Sequence, residues 1–321
     1  NHKASESIFS LGNGLMGQRA NFEEAWSGPT LRGSYMAGVY YPDKTRVGWW
    51  KNGDPEYFAK VIHSPDWIGI DVNVDGETLD LYKALKVENF SRVLDMQRGL
   101  LRRTFTATMG NGRRVSVITE RFLNMARPET GTVRFSITPE DADCKITFTP
   151  YIDGDIKNED ANYDEQFWNI LETESDQYRG ALLAQTKKLD FRVAYAMNTE
   201  ITGGEIREVQ PIREDKFTGH HIYLNARQHE TLTITKYAGV CSSMNHAPEK
   251  LMPQARQQAA DSAKAGFDEL LKEHTERWDK IWALSDITIQ GDVAAQQGIR
   301  FNIFHLNQTY TGEDERLNIG P

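Results

Sequence analysis

The apolar residues of this chain change their spacing near Pro248, and this change limits the possible folds more than any other feature. Between about residues 30 and 245, apolar and polar residues alternate in short segments separated by turn residues. Residues 253–282 instead place apolar side chains at helical spacing, which predicts one long amphipathic helix. Consecutive hairpins without intervening helices are typical of an antiparallel β-sandwich. We therefore predict a mainly β chain, in which a large antiparallel β-sandwich is followed by helices.

A second helix is predicted over residues 293–310, and Asp292 precedes it in the position of an N-cap. Apolar residues occupy most of its circumference, which indicates burial on several sides. These residues are Ile299, Phe301, Ile303, Phe304 and Leu306. Because few residues follow, we expect part of this apolar surface to face water or a second molecule. Self-association through the helix, or its local disorder, is the expected consequence.

Charge and cysteine content exclude several classes of function. The 321 residues include 37 Lys and Arg against 46 Asp and Glu, and the net charge of −9 argues against nucleic-acid or anionic-membrane partners. No run of 18 apolar residues is present, so we expect no membrane span. Cys144 and Cys241 are too few for a disulfide framework and belong to no closely spaced metal pair. We expect a cytoplasmic protein without a bound metal.

Three glycines near the N-terminus, Gly12, Gly14 and Gly17, have the spacing of a dinucleotide-binding fingerprint. That fingerprint also needs a following helix and an acidic residue about 20 positions further on. The sequence supplies neither, because Gly28, Pro29 and Gly33 would interrupt the helix and no carboxylate lies around residues 34–36. We therefore predict no nucleotide cofactor, and we expect the glycines to supply positive φ angles at a tight corner between β segments.

Three other motifs allow both a functional and a structural interpretation, and we favour the structural one each time. The sequence DVNVDG at residues 71–76 begins like a calcium loop, but Tyr82 replaces the bidentate Glu of the twelfth position. A strand running into a hairpin turn explains it better. Trp49 and Trp50 could stack on a sugar ring, although a domain or subunit contact is the simpler interpretation. The acidic run at residues 313–315 is expected to be a solvated turn rather than an acid/base pair.

Five longer segments, spread over nearly the whole chain, are more specific than any single motif. In chain order they are FSLGNGLMGQRANFEE, GSYMAGVYY, LDMQRGLLRRTF, RWDKIWALSDITIQGD and GIRFNIFHLNQT. Taken together, these segments resemble glycoside hydrolase family 65, which contains the maltose, trehalose and kojibiose phosphorylases. The resemblance implies that the glycine-rich segment belongs to the family's N-terminal β-sandwich, where it shapes a loop.

The resemblance also implies a division of the chain. The family combines an N-terminal β-sandwich, a helical linker, an (α/α)6 catalytic barrel and a small C-terminal β domain. On this pattern residues 1–248 form the sandwich and residues 249–290 the linker. Residues 291–321 then contain only the first helix of the barrel and the loop that follows it, a truncated barrel.

Family chemistry implies an inverting phosphorolysis of an α-glucosidic disaccharide. A carboxylic acid protonates the glycosidic oxygen while inorganic phosphate, the co-substrate, attacks the anomeric carbon from the opposite face and gives β-glucose 1-phosphate. The family's catalytic Glu, its Trp-Asp motif and its phosphate-binding residues lie downstream of Pro321 in this pattern. We therefore expect no catalytic residue in this chain, no cofactor, and no activity of the chain by itself.

The resemblance places a few residues of this chain near the sugar. Phe304, His305, Gln308 and Thr309 lie on the predicted first barrel helix, and two residues of the following loop, Arg316 and Asn318, are expected to approach the same site. The expected partners are the disaccharide, phosphate and a second copy in a homodimer. Two alternatives remain open: a hydrolase of the same family, and a non-catalytic carbohydrate-binding or scaffold sandwich. The disaccharide and its linkage are not specified by these residues.

Overall fold

The computed structural model describes residues 2–44, 55–158 and 165–317. The strands, in chain order, are β1 (Leu11–Gly12), β2 (Met16–Gln18), β3 (Ser34–Met36), β4 (Tyr40–Lys44), β5 (Tyr57–Val61), β6 (Ile70–Val74), β7 (Glu77–Thr78), β8 (Lys86–Asp95), β9 (Leu100–Thr108), β10 (Arg114–Leu123), β11 (Thr130–Pro139), β12 (Cys144–Asp153), β13 (Trp168–Asp176), β14 (Arg179–Thr186), β15 (Arg192–Thr202), β16 (Glu205–Arg213), β17 (Phe217–Ala226) and β18 (Leu232–Ser242). The helices are α1 (His2–Ile8), α2 (Leu251–Ala265), α3 (Phe267–Ser285) and α4 (Val293–Thr309), with a 3-10 turn at Pro248–Lys250.

Two large antiparallel sheets pack face to face and confirm the predicted β-sandwich. One sheet has the strand order β13-β14-β15-β18-β11-β10-β9-β8, and the other has the order β16-β17-β12-β6-β7. Phe135 of the first sheet meets Phe148 of the second edge to face, with ring centroids 6.3 Å apart. Both rings are fully buried, and each such burial contributes about 1.5–3 kcal/mol. Two small sheets, β1-β2-β3 and β4-β5, complete the strands.

The DVNVDG motif is a strand and hairpin turn, as predicted. Ile70, Val72 and Val74 of β6 are fully buried, whereas the alternating residues between them are half-buried. Asp75 and Gly76 then have φ angles of 49° and 90°, the left-handed values of a type I′ hairpin turn. The alternation of side chains on a strand, rather than metal coordination, therefore explains this sequence.

Helix α2 packs on the face of the large sheet that points away from the sandwich core. On β15, Val193 and Tyr195 point into the core, while Ala194 and Ala196 face the helix. Small side chains let the helix lie close to the sheet, and Gly239 of β18 lies directly against it. A Cβ atom there would lie 2.1 Å from the Ala255 carbonyl oxygen. The contact between sheet and helix is formed by sheet residues Ala181, Ala194, Ala196 and Cys241 and by α2 residues Leu251, Met252, Ala255 and Ala259.

The single long helix predicted over residues 253–282 is wrong, because Gly266 separates two helices. Gly266 has φ 79° and ψ 161°, a conformation that residues with a Cβ atom avoid. The chain changes direction there, and the start of α3 packs against β10 and β18. Phe267, Leu270 and Leu271 form this contact with Phe122 and Tyr237. Periodicity alone could not show the break, because both helices continue the same apolar spacing.

Helix α4 begins at the predicted cap and is buried on one side only. The Asp292 carboxylate accepts a hydrogen bond from the Ala295 amide at 2.9 Å. Phe304 is fully buried and stacks on Trp278 of α3, with ring centroids 4.7 Å apart. Leu306 and Val293 are 58% and 85% exposed. The prediction that the apolar residues of this helix cannot all be buried is confirmed, while self-association through it stays a prediction.

Cys144 and Cys241 are both buried and free. Within the described residues, no helix combines the length and the apolar character that crossing a membrane requires.

Candidate functional site

A cavity of about 950 Å³ lies between the N-terminal β segment and the end of α4. It is lined by residues of the segment 10–19, of strand β3, of the paired strands β4 and β5, and of the loop after α4. Of the six residues that the resemblance places near a sugar, His305, Gln308, Thr309 and Arg316 line this cavity. Apolar walls with a few hydrogen-bonding groups are typical of small-molecule sites, so the geometry supports this cavity as the candidate site.

Gln308 joins α4 to the glycine-rich segment. Its Oε1 accepts a hydrogen bond from the Gly12 amide at 2.9 Å, and its Nε2 donates to the Ser10 carbonyl at 3.2 Å. The Gly14 amide donates to the Gln308 backbone carbonyl at 2.8 Å. Because Gln308 is buried and both ends of its amide are occupied, it fixes the wall of the cavity rather than presenting free groups to it.

The three fingerprint glycines do not share one role. Gly14 has φ 82°, and so the predicted positive φ is correct for this residue. Gly12 and Gly17 do not have positive φ, so the prediction is wrong for them. Gly12 is required by close approach instead, since a Cβ atom there would lie 2.9 Å from the Gln308 carbonyl oxygen. The next strands, β2 and β3, follow where a nucleotide fold needs a helix.

Asn13 holds the glycine-rich segment against the sandwich. Its Oδ1 accepts hydrogen bonds from the amides of Leu15 and Met16, at 3.2 and 2.8 Å. Its Nδ2 donates to the carbonyls of Asn124 and Pro128, at 3.1 and 2.9 Å. All four bonds involve backbone groups, so this one buried side chain fixes the loop conformation. The only local signal for this role is the position of an Asn in a turn.

His305 is half-buried and lies between two aromatic rings of its own helix. Its ring centroid is 4.2 Å from that of Phe301 and 5.3 Å from that of Phe304. Its Nδ1 accepts a hydrogen bond from Gln308 Nε2 at 2.7 Å. Burial lowers the pKa of His305, which favours the neutral imidazole. Its Nδ1 is thus occupied and its Nε2 is enclosed by protein, so the ring forms part of the cavity wall without a nitrogen that is free for a ligand.

Phe304 and Thr309 lie on different sides of the same helix end. Phe304 does not line the cavity, because its ring is enclosed against Trp278. Thr309 is exposed at the cavity, and its hydroxyl donates to the His305 carbonyl at 2.7 Å. The hydroxyl oxygen keeps accepting capacity for a ligand.

Arg316 fastens the loop after α4 to the turn after β18. Its guanidinium donates to the Asn245 side-chain oxygen at 2.6 Å and to the Met244 carbonyl. The Asp314 carboxylate accepts two further bonds from it, at 2.8 and 2.6 Å, and this pairing raises the Arg316 pKa. The acidic run at residues 313–315 is therefore partly an ion-paired turn, in line with its structural interpretation.

Some predicted residues lie outside the part of the chain that the structure describes. Asn318 is one of them, and Trp49 and Trp50 are the others.

Comparison with known proteins identifies the family. A family model described as glycosyl hydrolase family 65, N-terminal domain, matches residues 1–281. The chain belongs to glycoside hydrolase family 65. The β-sandwich described above is therefore the fold of this family's N-terminal domain, and the cavity lies where this domain meets the helix that follows the matched region.

Several relatives of this family 65 chain are disaccharide phosphorylases. A maltose phosphorylase of Bacillus subtilis is 40% identical over 98% of the chain, and an alpha,alpha-trehalose phosphorylase of Thermoanaerobacter brockii is 30% identical over 98%. A solved structure, a putative kojibiose phosphorylase from human microbiome, superposes with a TM-score of 0.87 at 28% identity and 98% coverage. The chain spans 41%, 42% and 41% of the lengths of these three proteins.

Proposed function

We propose that the complete protein is an inverting disaccharide phosphorylase and that maltose is its substrate. The similarity to a maltose phosphorylase supports this, because 40% identity extends over 98% of the chain and exceeds the 30% identity to a trehalose phosphorylase. In the reaction, the bond between the anomeric carbon and the glycosidic oxygen breaks as a phosphate oxygen bonds to that carbon. The leaving glucose takes a proton at its oxygen, and β-glucose 1-phosphate is the second product.

The single structural observation that carries a role for this chain is the cavity beside α4. There the glycine-rich segment, the end of α4 and the Arg316 loop meet, and the exposed Thr309 offers a hydroxyl oxygen that can accept a hydrogen bond. We propose that Thr309 binds a sugar hydroxyl, that His305 packs beside the sugar as part of the wall, and that Gln308 and Arg316 hold the two loops in place. The acid that protonates the leaving group belongs, on this proposal, to the rest of the protein.

Two further properties are part of the proposal. The free, buried thiols of Cys144 and Cys241 support a reducing location, the cytoplasm. The edge strand β8 exposes Val87, Phe90 and Val93, a surface of the kind that packs in homodimers.

Phosphate dependence tests the proposed activity directly. The complete protein is incubated with maltose, trehalose or kojibiose, with and without inorganic phosphate, and glucose and glucose 1-phosphate are measured. We expect cleavage of maltose only when phosphate is present. Glucose release without phosphate would indicate the hydrolase alternative, and binding of sugar without any cleavage would indicate the scaffold alternative.

The chain of 321 residues provides the matched control. We propose that it is inactive by itself, because proton donation by the missing acid contributes about 10²- to 10⁴-fold to such reactions. Phosphate-dependent glucose release by this segment alone would place the catalytic acid within it.

A further inference from the structure

Three side chains with different metal-binding atoms converge behind the turn that follows β18. The carboxylate of Glu129, the thiol of Cys241 and the imidazole of His246 each place one atom within 4.8 Å of the others. Glu129 lies in the turn between β10 and β11, Cys241 lies on β18, and His246 lies four residues beyond the end of that strand. Three separate segments therefore meet at one point.

The three candidate ligand atoms lie within about 1 Å of the spacing that a tetrahedral ion requires. The His246 Nε2 donates to Glu129 Oε1 at 2.5 Å, and the Cys241 thiol donates to Glu129 Oε2 at 3.5 Å. Bonds of about 2.0–2.3 Å to a tetrahedral zinc ion separate neighbouring ligand atoms by about 3.3–3.7 Å. The imidazole and the carboxylate would have to separate by roughly 1 Å, which rotation of two half-buried side chains can provide.

We propose that Glu129, Cys241 and His246 bind a divalent transition-metal ion of the Zn²⁺ type. Thiolate, imidazole and carboxylate are the three ligand types that zinc takes in proteins, and zinc sites with three protein ligands add a fourth, small ligand. Gln258 of α2 is placed to assist, since its Nε2 donates to Glu129 Oε2 at 3.2 Å. A rotation of its amide by half a turn brings the side-chain oxygen to the ion, and a water molecule can fill the position otherwise.

Charge favours a cation at this point once the thiol has lost its proton. Burial, followed by the neighbouring Glu129 carboxylate, raises the pKa of Cys241 well above its usual range. A divalent ion reverses both effects, because it neutralises the carboxylate and stabilises the thiolate directly. Binding releases the Cys241 proton to solvent, so the affinity for the ion increases with pH.

The cluster also has a structural connection to the cavity. The turn that carries His246 presents the Asn245 side chain and the Met244 carbonyl to Arg316, and Met244 lines the cavity. A bound ion would fix this turn to β18 and to the β10-β11 turn. The ion would thus stabilise one wall of the cavity from behind, without taking part in the reaction.

The sequence could not indicate this cluster. Glu129 is 112 residues from Cys241 and 117 residues from His246, so no short metal motif exists. The expectation of no bound metal rested on the spacing of cysteines, and the pairing of β11 with β18 brings Glu129 to the thiol.

Cobalt titration of the complete protein tests the site. The protein is treated with a chelator, dialysed, and titrated with Co²⁺ while the thiolate-to-cobalt absorption band in the near ultraviolet is recorded. We expect one equivalent of Co²⁺ to generate the band and Zn²⁺ to abolish it. Cys241→Ser should remove the band, and Cys144→Ser, the matched control at the other buried cysteine, should leave it unchanged.

A second variant keeps the test decisive if Cys241→Ser does not fold. His246→Ala changes a half-buried turn residue and should weaken Zn²⁺ binding by more than about 100-fold, beyond the 10- to 100-fold typical of residues outside the ligand set. Absence of the band in the unmodified protein, or equal bands in the Cys241→Ser and Cys144→Ser variants, would overturn the proposal. The site and its test are independent of the proposed phosphorolysis.

Discussion

The Gln308→Ala substitution should release the glycine-rich segment from α4. It removes the acceptor of the Gly12 amide and the donor to the Ser10 carbonyl, at 2.9 and 3.2 Å. Each such hydrogen bond contributes about 0.5–1.5 kcal/mol, and loss of one buried methylene adds about 0.8 kcal/mol. The two bonds and the methylene together predict a local loss of about 2–4 kcal/mol.

Hydrogen exchange followed by mass spectrometry measures this loss where it occurs. In a peptide that covers residues 9–18, a local loss of about 2–4 kcal/mol corresponds to exchange that is about 30- to 1,000-fold faster, because opening of the segment exposes its amides. Asn307→Ala is the matched control, since the Asn307 side chain donates to the Ile303 carbonyl within the same helix. We expect the control to change exchange of this peptide by less than about threefold, the effect of roughly 0.5 kcal/mol.

Unchanged exchange in Gln308→Ala would refute the assignment of Gln308 as the connection between α4 and the glycine-rich segment. If the variant instead changed only the KM for the disaccharide, Gln308 would contact the sugar directly, as the family resemblance first suggested. A combined change, with faster exchange and weaker substrate binding, would agree with a residue that positions the wall of the cavity.

Three further outcomes are expected. Gly239→Ala should lower the free energy of unfolding by about 1–3 kcal/mol, measured as a lower melting temperature, because its Cβ atom would lie 2.1 Å from the backbone of α2. The control Gly298→Ala has open space around its Cβ position and should raise the stability slightly. Burial lowers the pKa of Lys236 to about 7 in the folded protein. Between about pH 7 and pH 10 the unfolded chain therefore binds more protons than the folded protein, and the stability of the fold rises with pH over that range. Urea unfolding at about pH 7 and about pH 9.5 should show this rise in the unmodified protein and not in Lys236→Met. An equal rise in the free energy of unfolding of both proteins would contradict the prediction. Deletion of residues 292–321 from the isolated chain should reduce its self-association in analytical ultracentrifugation, since Leu306 and Val293 are exposed.

The sandwich could be predicted from the sequence because its signals are local. Alternating side chains and an Asp-Gly turn specify the β6-β7 hairpin without any knowledge of its neighbours, and the N-cap of α4 depends only on Asp292. The break at Gly266 was missed because glycine is tolerated inside a helix and the apolar spacing continues beyond it. Local signals therefore predict the individual strands and helices, but they do not predict where a helix is interrupted.

The candidate site is much harder to predict from the sequence, because contacts between residues far apart in the chain form it. Gln308 meets Gly12 across 296 residues, and no spacing rule relates the two. Arg316 reaches Asn245 across 71 residues, in the same way. The family resemblance placed His305, Gln308, Thr309 and Arg316 near one site, and the structure places these four around one cavity. The resemblance could not show that the Gln308 and Arg316 side chains hold the loops, whereas the Thr309 hydroxyl oxygen remains able to accept a hydrogen bond from a ligand.

The configuration of the sugar phosphate formed from maltose is the most direct test of the proposed function. The complete protein is mixed with maltose and inorganic phosphate, and proton and phosphorus NMR spectra are recorded as the sugar phosphate forms. An inverting phosphorylase gives β-glucose 1-phosphate and one equivalent of glucose, and this is the result that we predict. Formation of α-glucose 1-phosphate, or of two glucose molecules without consumption of phosphate, would contradict it.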